Sequence, residues 1–224
     1  MSRAPRAMTR LLGVFALAIA LVAGSGVASY AASVTWRDDT GDVYSLSLAD
    51  ESTPSPAPGE AESDITSVTI RHGAAAVMVT VRLRSLPPRF DTVGLKIKTP
   101  SSGPAYLATA SAGPGMKIWQ LSKGGVGKPI QCRGYHVGFK VAADVIQARI
   151  PRACLGNPRW VRVGAMVSTA PDLLSLLFSA GDDEELSAED EIGYVDVAGI
   201  GAIPDSMWRA SGSPLPLGPK VRRG

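Results

Sequence analysis

Four aspartates have the residue type and placement that a hard metal ion requires. Asp38, Asp39 and Asp42 lie together in the segment RDDTGDV, and Asp64 begins the next apolar run. Ca²⁺ takes about six to eight oxygen ligands, which a turn rich in carboxylates and carbonyls supplies. These residues are therefore the candidate calcium site. The alternative is a solvated turn in which Asp38 or Asp39 accepts hydrogen bonds from backbone amides.

A second acidic run, DDEELSAEDE at 182–191, has a different character. Calcium-binding loops place their ligands at alternate positions around a central glycine, and this run has neither that spacing nor the glycine. We interpret 182–191 as a solvated loop, which leaves the four aspartates as the metal site that the sequence offers.

Catalytic machinery is not visible in the sequence after residue 31. That region holds no Gly-x-Ser-x-Gly element and no His-Glu-x-x-His element, which mark serine hydrolases and zinc peptidases. We interpret the two histidines, His72 and His136, as surface residues. A Ser-His-acid triad assembled from distant residues stays open, because triads are recognised by geometry and not by sequence order.

The chain contains two cysteines, Cys132 and Cys154. In an exported protein, two cysteines without another partner favour one disulfide bond. Two buried free thiols are the alternative. A disulfide that closes a loop of this length would raise the free energy of unfolding by about 3 kcal/mol, mainly by restricting the unfolded chain.

Tryptophans bind sugars well, because the CH groups of a pyranose pack on an aromatic face. Trp36 lies beside the aspartate cluster, and Trp119 has Lys117 and Gln120 close by in the sequence. Trp36 and Trp119 are the candidate ligand-binding residues. Trp160 begins a core strand and is expected to be buried. Packing in the core or at a sheet edge is the alternative for every tryptophan.

The first 31 residues have the pattern of a secretory signal peptide. Arginines at positions 3, 6 and 10 precede an apolar stretch from Leu11 to Val22, and small residues follow up to Ala31. We predict cleavage after Ala31 and a secreted, extracellular protein. An uncleaved membrane anchor is the alternative, although the stretch is short for a span. After cleavage we expect no membrane contact.

Charge gives no support to nucleic-acid binding. The whole chain has 23 Lys and Arg and 20 Asp and Glu, a net charge of +3. The predicted signal peptide holds three of the arginines and no acid, which leaves 20 basic against 20 acidic residues. The mature protein is therefore close to neutral and has no overall attraction for polyanions. Its remaining residues are enough for one core.

Apolar and polar residues alternate through much of the remaining chain, which predicts strands. In VMVTVRL (77–83) every second residue is Val or Leu, and TVGLKIK (92–98) and WVRVGAMV (160–167) repeat the pattern. A strand over 64–72 precedes the first of these and forms a hairpin with it. Frequent turns and little helix predict an all-β fold, an antiparallel β-sandwich of jelly-roll type.

The two cysteines flank a predicted hairpin whose turn is at 142–144. Pairing Val141 with Ile146 puts the apolar residues of both strands on one face. This register brings Cys132 and Cys154 to the open end of the hairpin, where a disulfide bond is geometrically possible.

The segment IPRACLGNP (150–158) is interpreted as a structural corner and not as an active site. Pro151 cannot donate a backbone hydrogen bond, which suits the end of a strand. Gly156, Asn157 and Pro158 favour a turn that returns the chain to the core.

Three segments carry a family resemblance. They are RDDTGDV (37–43), DITSVTIRHGAAAVMVTVRL (64–83) and ARIPRACLGNPRWVRVGAMV (148–167). Their order resembles a group of secreted actinobacterial proteins of unknown function and, more distantly, the DOMON-like and family 9 carbohydrate-binding modules. The matches to the Ile-Pro element and Leu-Gly turn of the wider family are Ile150, Pro151, Leu155 and Gly156. The resemblance covers about residues 34–168 and implies a jelly-roll-like sandwich, in a family whose members bind sugars, haem or calcium or serve as surface scaffolds.

Together these observations predict a secreted, non-catalytic binding module of one domain. Residues 1–31 are its signal peptide, 32–170 its β-sandwich, and 171–224 an acidic loop and a short helical or irregular C-terminal extension packed on the same domain. The expected ligand is a polysaccharide, and the one cofactor that the sequence suggests is Ca²⁺. Two alternatives stay open: a structural protein that recognises a cell-surface protein, and a secreted hydrolase whose triad is dispersed in the sequence.

Overall fold

The alternation of apolar and polar residues forms antiparallel sheets in the computed structural model. The structure describes residues 32–47, 55–88, 91–113, 116–124, 129–169, 192–197 and 217–224, which belong to a unit that spans Ala31–Gly224. In chain order the strands of the described part are β1 (Ala32–Arg37), β2 (Tyr44–Ser47), β3 (Ser55–Pro56), β4 (Ile65–His72), β5 (Ala76–Leu83), β6 (Asp91–Lys98), β7 (Tyr106–Gly113), β8 (Met116–Lys123), β9 (His136–Lys140), β10 (Val145–Pro151), β11 (Trp160–Ser168), β12 (Ile192–Val197) and β13 (Val221–Arg222). Two short 3₁₀ turns, Val141–Ala143 and Arg152–Leu155, precede and follow β10.

The strands form two sheets. The first has five strands in the order β1-β4-β5-β10-β9, and the second has the order β3-β2-β12-β11-β6-β7-β8 with β13 paired to β11. Neighbouring strands run antiparallel throughout. The predicted all-β antiparallel sandwich is therefore confirmed.

The core lies between the inner faces of the two sheets, as the alternation predicts. Val77, Val79 and Val81 of β5 are buried, and so are Val161 and Val163 of β11. These residues belong to one apolar cluster with side chains from both sheets. Because aligned sheets pack about 10 Å apart, branched side chains of this size fill the space between them.

The predicted register of the β9–β10 hairpin is wrong by two residues. Phe139, and not Val141, pairs with Ile146. The chain forms a 3₁₀ turn over Val141–Ala143 and then a left-handed residue, Asp144 with φ 53°. The Asp144 carboxylate accepts a hydrogen bond from the Leu86 amide at 2.9 Å, which holds the longer turn in place. Because the shift is even, each side chain keeps its predicted face.

The predicted disulfide bond is confirmed. Cys132 and Cys154 are bonded, and their Cα atoms are 5.7 Å apart. The bond joins the segment before β9 to the 3₁₀ turn after β10, which contains Cys154. It therefore closes the open end of the hairpin, next to the point where the chain leaves the five-stranded sheet.

The segment after β10 takes the chain from the first sheet to the second. Arg152 in the 3₁₀ turn is buried, and its guanidinium donates hydrogen bonds to the carbonyls of Ala74 (2.7 Å) and Pro158 (2.9 Å). Gly156 and Asn157 follow with positive φ angles of 74° and 52°. Arg152 thus connects this turn to the β4–β5 loop. The segment 150–158 makes the structural contacts predicted for a corner between the two sheets.

Two strands come from the C-terminal part of the sequence. The first, Ile192–Val197, is not predicted from the sequence. It pairs with both β11 and β2. A second short strand forms at Val221–Arg222 and also pairs with β11. The predicted signal peptide, the predicted helical turns after residue 170 and the acidic run 182–191 lie outside the described residues.

Candidate functional site

Asp64 is the residue that organises the aspartate turn. Asp38, Asp39 and Asp42 lie between β1 and β2, and Asp64 lies immediately before β4. The Asp64 side chain is fully buried, and its Oδ2 accepts a hydrogen bond from the Gly41 amide at 2.9 Å. The same oxygen is 3.2 Å from Nη1 of Arg84. Asp64 therefore connects the β1–β2 turn to the end of β5.

The turn holds carboxylate oxygens without hydrogen-bond partners. Both oxygens of Asp42 and Oδ1 of Asp64 are buried from solvent and accept no hydrogen bond from another described residue. Asp39, in contrast, is exposed, and the Asp38 amide donates to the Thr66 carbonyl at 3.2 Å. Burial of an unpaired carboxylate is costly, so these oxygens favour a proton or a cation.

The charge state of Asp42 reflects this environment. Burial raises the pKa of Asp42, and the negative charges of Asp64 and Asp39 raise it further, while a hydrogen bond from its own backbone acts in the opposite direction. A nearby cation would reverse the effect by favouring the ionised form. Of the four predicted aspartates, Asp64 and Asp39 are thus close enough to Asp42 for their charges to raise its pKa.

Side chains alone do not complete a metal site here. Among the described residues, no three acidic, histidine or cysteine side chains form a group that could hold a metal ion. Ca²⁺ commonly takes further oxygens from backbone carbonyls and water. A cation at Asp42 and Asp64 would need those ligands.

Trp36 packs against the C-terminal segment. Its side chain is half-buried on the inner face of β1, and it lies so close to Gly218 that no side chain fits between them. Trp36 is also in contact with the main apolar cluster. The Trp36 ring therefore has a packing role in the structure.

Trp119 lies at the edge of the second sheet and is 41% exposed. Its ring makes an edge-to-face contact with His136 of β9, with 5.6 Å between ring centroids and an interplanar angle of 86°. Ile118 beside it is 56% exposed. β8 and β9 are the edge strands of different sheets, so the Trp119–His136 pair joins the two sheets at this side of the sandwich.

The two histidines have opposite environments. The prediction that His72 is a surface residue is wrong, because its side chain is fully buried and its Nδ1 is 3.2 Å from the Val221 carbonyl. The sequence contains the signal: Val68, Ile70 and His72 share one face of β4, and all three are buried. His136 is exposed, as predicted.

Neither histidine forms part of a catalytic triad in the described part of the chain. The ring of His72 contacts a backbone carbonyl, and that of His136 contacts an indole. Burial lowers the pKa of His72, the positive charges of Arg152 and Arg223 lower it further, and the hydrogen bond to Val221 opposes them. A neutral buried ring held by a strand carbonyl has a structural role.

Trp160 is only half-buried, whereas the sequence predicts that it is buried in the core. It faces outward on β11, because Val161 takes the inward position, and Nζ of Lys220 lies 4.7 Å from the centre of its ring. One face of Trp160 is therefore occupied by a cation–π contact, which distinguishes it from Trp119.

Within the described residues, no helix has the length and apolar character needed to cross a membrane. No protein-family model, curated protein or solved structure matches the chain.

Proposed function

We propose that this protein is a secreted, non-catalytic module that binds a glycan, with Trp119 as its stacking residue. The observation that carries the proposal is the position of Trp119 at an open sheet edge, where its ring is exposed and fixed by His136. A sugar ring gains most from an aromatic surface that is accessible and already ordered, because little entropy is then lost on binding.

The neighbours of Trp119 suit such a ligand. In the described residues, the half of β8 from Met116 to Gln120 pairs on one side only, with β7. Lys117 and His136 are exposed next to Trp119. Their polar groups supply the few directional hydrogen bonds that orient a sugar on an aromatic platform.

Ca²⁺ enters the proposal as a structural ion at the aspartate turn. The support is that both Asp42 oxygens and Oδ1 of Asp64 are buried without a hydrogen bond from another described residue. A cation there would relieve their mutual repulsion and fix the β1–β2 turn against β4. This role is one of stability and is separate from ligand binding at Trp119.

Retention on insoluble polysaccharides and binding to a glycan array test the proposal. The wild-type protein should bind at least one glycan, and Trp119→Ala should weaken that binding at least about tenfold, as expected for an aromatic hot spot. Trp160→Ala is the matched control, since that ring already contacts Lys220. Equal loss in both variants, or no retention of the wild type, would overturn the proposal.

A protein ligand is the second candidate, and a specific observation favours it. Among the residues that the structure describes, Ile118 is the most exposed large apolar side chain, at 56%, and it lies on the open edge strand beside Trp119. Strand edges with apolar side chains pair with extended peptides. Capture of a cell-surface protein that depends on Ile118, with no glycan retained, would favour this candidate over the first.

A further inference from the structure

The outer face of the five-stranded sheet carries positive charge and no negative charge. The sequences of its five strands contain neither Asp nor Glu. Its exposed cationic or histidine side chains, which we call the basic face, are Arg37, Arg71, Arg82, Arg149, Lys140 and His136. The whole protein has mixed charge, so this face is a local concentration that overall composition does not reveal.

Strand register arranges the basic face in two rows that run across the sheet. One row contains Arg37, Arg82 and Lys140, on the first, third and fifth strands. The other contains Arg71, Arg149 and His136, on the second, fourth and fifth strands. From the spacing of strands and residues, arginines within a row are about 10 Å apart and the rows about 13 Å apart.

A polar track lies between the two rows. Thr35 and Thr69 share a hydrogen bond at 2.8 Å between their hydroxyls. Nε2 of Gln147 donates to the Thr80 hydroxyl at 3.4 Å, and the Gln147 carbonyl oxygen accepts from Nζ of Lys140 at 2.9 Å. The track is therefore an ordered line of hydroxyl and amide groups with cations on both sides.

Two arginines of the basic face make hydrogen bonds to backbone carbonyls. Nη1 of Arg82 donates to the Ala143 carbonyl at 3.1 Å, and Nη1 of Arg149 donates to the Gly134 carbonyl at 3.0 Å. These contacts go to carbonyl oxygens, which carry only a partial negative charge, and the five strands themselves supply no carboxylate. Guanidinium groups bind carboxylates through two parallel hydrogen bonds.

We infer that the basic face binds an acidic polysaccharide that lies across the strands, with its carboxylates on the two rows and its hydroxyls on the polar track. The inference rests on the proposed glycan function and specifies the charge of the ligand. His136 belongs to the basic face and also contacts Trp119, so the face is continuous with the proposed stacking residue.

Other polyanions fit the basic face less well. Single-stranded nucleic acids need several exposed aromatic rings on which successive bases stack, and His136 is the one aromatic ring of the basic face. A lipid surface needs large apolar side chains that enter the bilayer, whereas the larger acyclic apolar residues on this face are Met78, which is half-buried, and Val145, which is buried. The hydroxyl and amide groups of the polar track, with cations on both sides, complement the hydroxyls and carboxylates of an acidic sugar chain.

Polygalacturonate and its fully methyl-esterified form test the inference, because they share a backbone and differ in charge. The purified full chain should bind polygalacturonate at low salt, bind the ester at least about tenfold more weakly, and lose affinity as NaCl rises from 50 to 200 mM. Arg71→Gln with Arg149→Gln should raise the Kd for polygalacturonate at least about tenfold. Arg159→Gln with Arg222→Gln, which removes the same charge from exposed residues elsewhere, should change it less than twofold.

The outcomes separate this inference from the proposed function. Binding of neutral glycans through Trp119 without preference for polygalacturonate would overturn the inference and leave the proposed function intact. Polygalacturonate binding that needs the arginines but not Trp119 would support the inference and remove the stacking role of Trp119. Preferential binding of a DNA oligonucleotide or of phosphatidylglycerol vesicles through the same arginines would overturn the acidic polysaccharide as the ligand.

Discussion

Gly218 lies directly against the indole of Trp36. A Cβ atom placed on Gly218 would be 2.6 Å from Cη2 of the ring, which is closer than non-bonded carbon atoms approach. The backbone of Gly218 is held on both sides: its amide donates to the Val163 carbonyl at 2.9 Å, and its carbonyl accepts from Nε of Arg162 at 2.8 Å. Trp36 therefore clamps the C-terminal segment onto the sandwich.

Replacing Gly218 by Ala should destabilise the protein. Because the backbone is fixed, the ring of Trp36 must move, and such overpacking costs about 1–3 kcal/mol. Thermal unfolding should show a midpoint several degrees lower than that of the wild type. Gly59→Ala is the control, since nothing lies within 4 Å of the added atom there, and its midpoint should not change measurably. Trp36→Leu should lower the free energy of unfolding less in the Gly218→Ala background than in the wild type, because it removes the clash between the Cβ atom added at position 218 and the Trp36 ring.

The sandwich and its core follow from the sequence to a large extent. Alternation over 77–83 places Val77, Val79 and Val81 inward, and they are buried. The disulfide between Cys132 and Cys154 follows from the number of cysteines and is present. These features depend on local periodicity and composition, which a single sequence contains.

Features that depend on tertiary contacts are not predictable in this way. The longer β9–β10 turn contains a hydrogen bond from the Leu86 amide to the Asp144 carboxylate, two residues far apart in sequence. The basic face requires the registers of several strand pairs at once, although the outward position of each arginine is visible from alternation. The strand at Ile192–Val197 is stabilised by pairing with β11, which ends at Ser168, and with β2, near the start of the sandwich.

Ca²⁺ should stabilise the protein through Asp42. A cation present at about a hundred times its dissociation constant adds roughly 2.7 kcal/mol to the free energy of unfolding. For a domain of this size, the midpoint should rise by several degrees when EDTA is replaced by millimolar CaCl₂. The measurement is a thermal melt under both conditions, and an equal rise with MgCl₂ would indicate a general charge effect.

Asp42→Asn distinguishes the effect of Ca²⁺ binding on stability from the effect of the Asp42 negative charge itself. Burial raises the pKa of Asp42, so the folded state holds its proton more strongly than the unfolded state does, and ionisation at neutral pH weakens folding. In EDTA the variant should therefore melt at or above the wild-type temperature at pH 7. In CaCl₂ it should lose the rise seen for the wild type. A variant that still responds to Ca²⁺ would place the ion elsewhere.

Loss of the disulfide should lower stability without changing the fold. Replacing both Cys132 and Cys154 by Ser should reduce the free energy of unfolding by about 3 kcal/mol, because the unfolded chain regains the entropy of an open loop. Urea denaturation gives the difference, and circular dichroism should show an unchanged strand content. Mass spectrometry of the unreduced protein should find the two cysteine peptides linked; free thiols in exported protein would contradict the structure.

Stability should fall in mild acid because of His72. Its pKa is lowered, chiefly by burial and then by Arg152 and Arg223, whereas in the unfolded chain a histidine has its ordinary pKa of about 6.5. Below that pH the unfolded chain takes up a proton that the folded protein resists. The contribution of His72 is therefore complete above about pH 6.5 and is lost as the pH falls toward its lowered pKa.

His72→Asn isolates this effect, since the amide can still donate a hydrogen bond to the Val221 carbonyl while it does not titrate. The raised pKa of Asp42 acts in the opposite direction, so wild type and variant are compared with each other at each pH. Urea unfolding at pH 7.5 and pH 5.5 should show the wild type losing more stability than His72→Asn, and His136→Asn, at an exposed position, serves as the control that keeps the wild-type loss. Equal losses in the wild type and His72→Asn would mean that the folded protein accepts the proton, and the contact between β4 and β13 would then tolerate a charged ring.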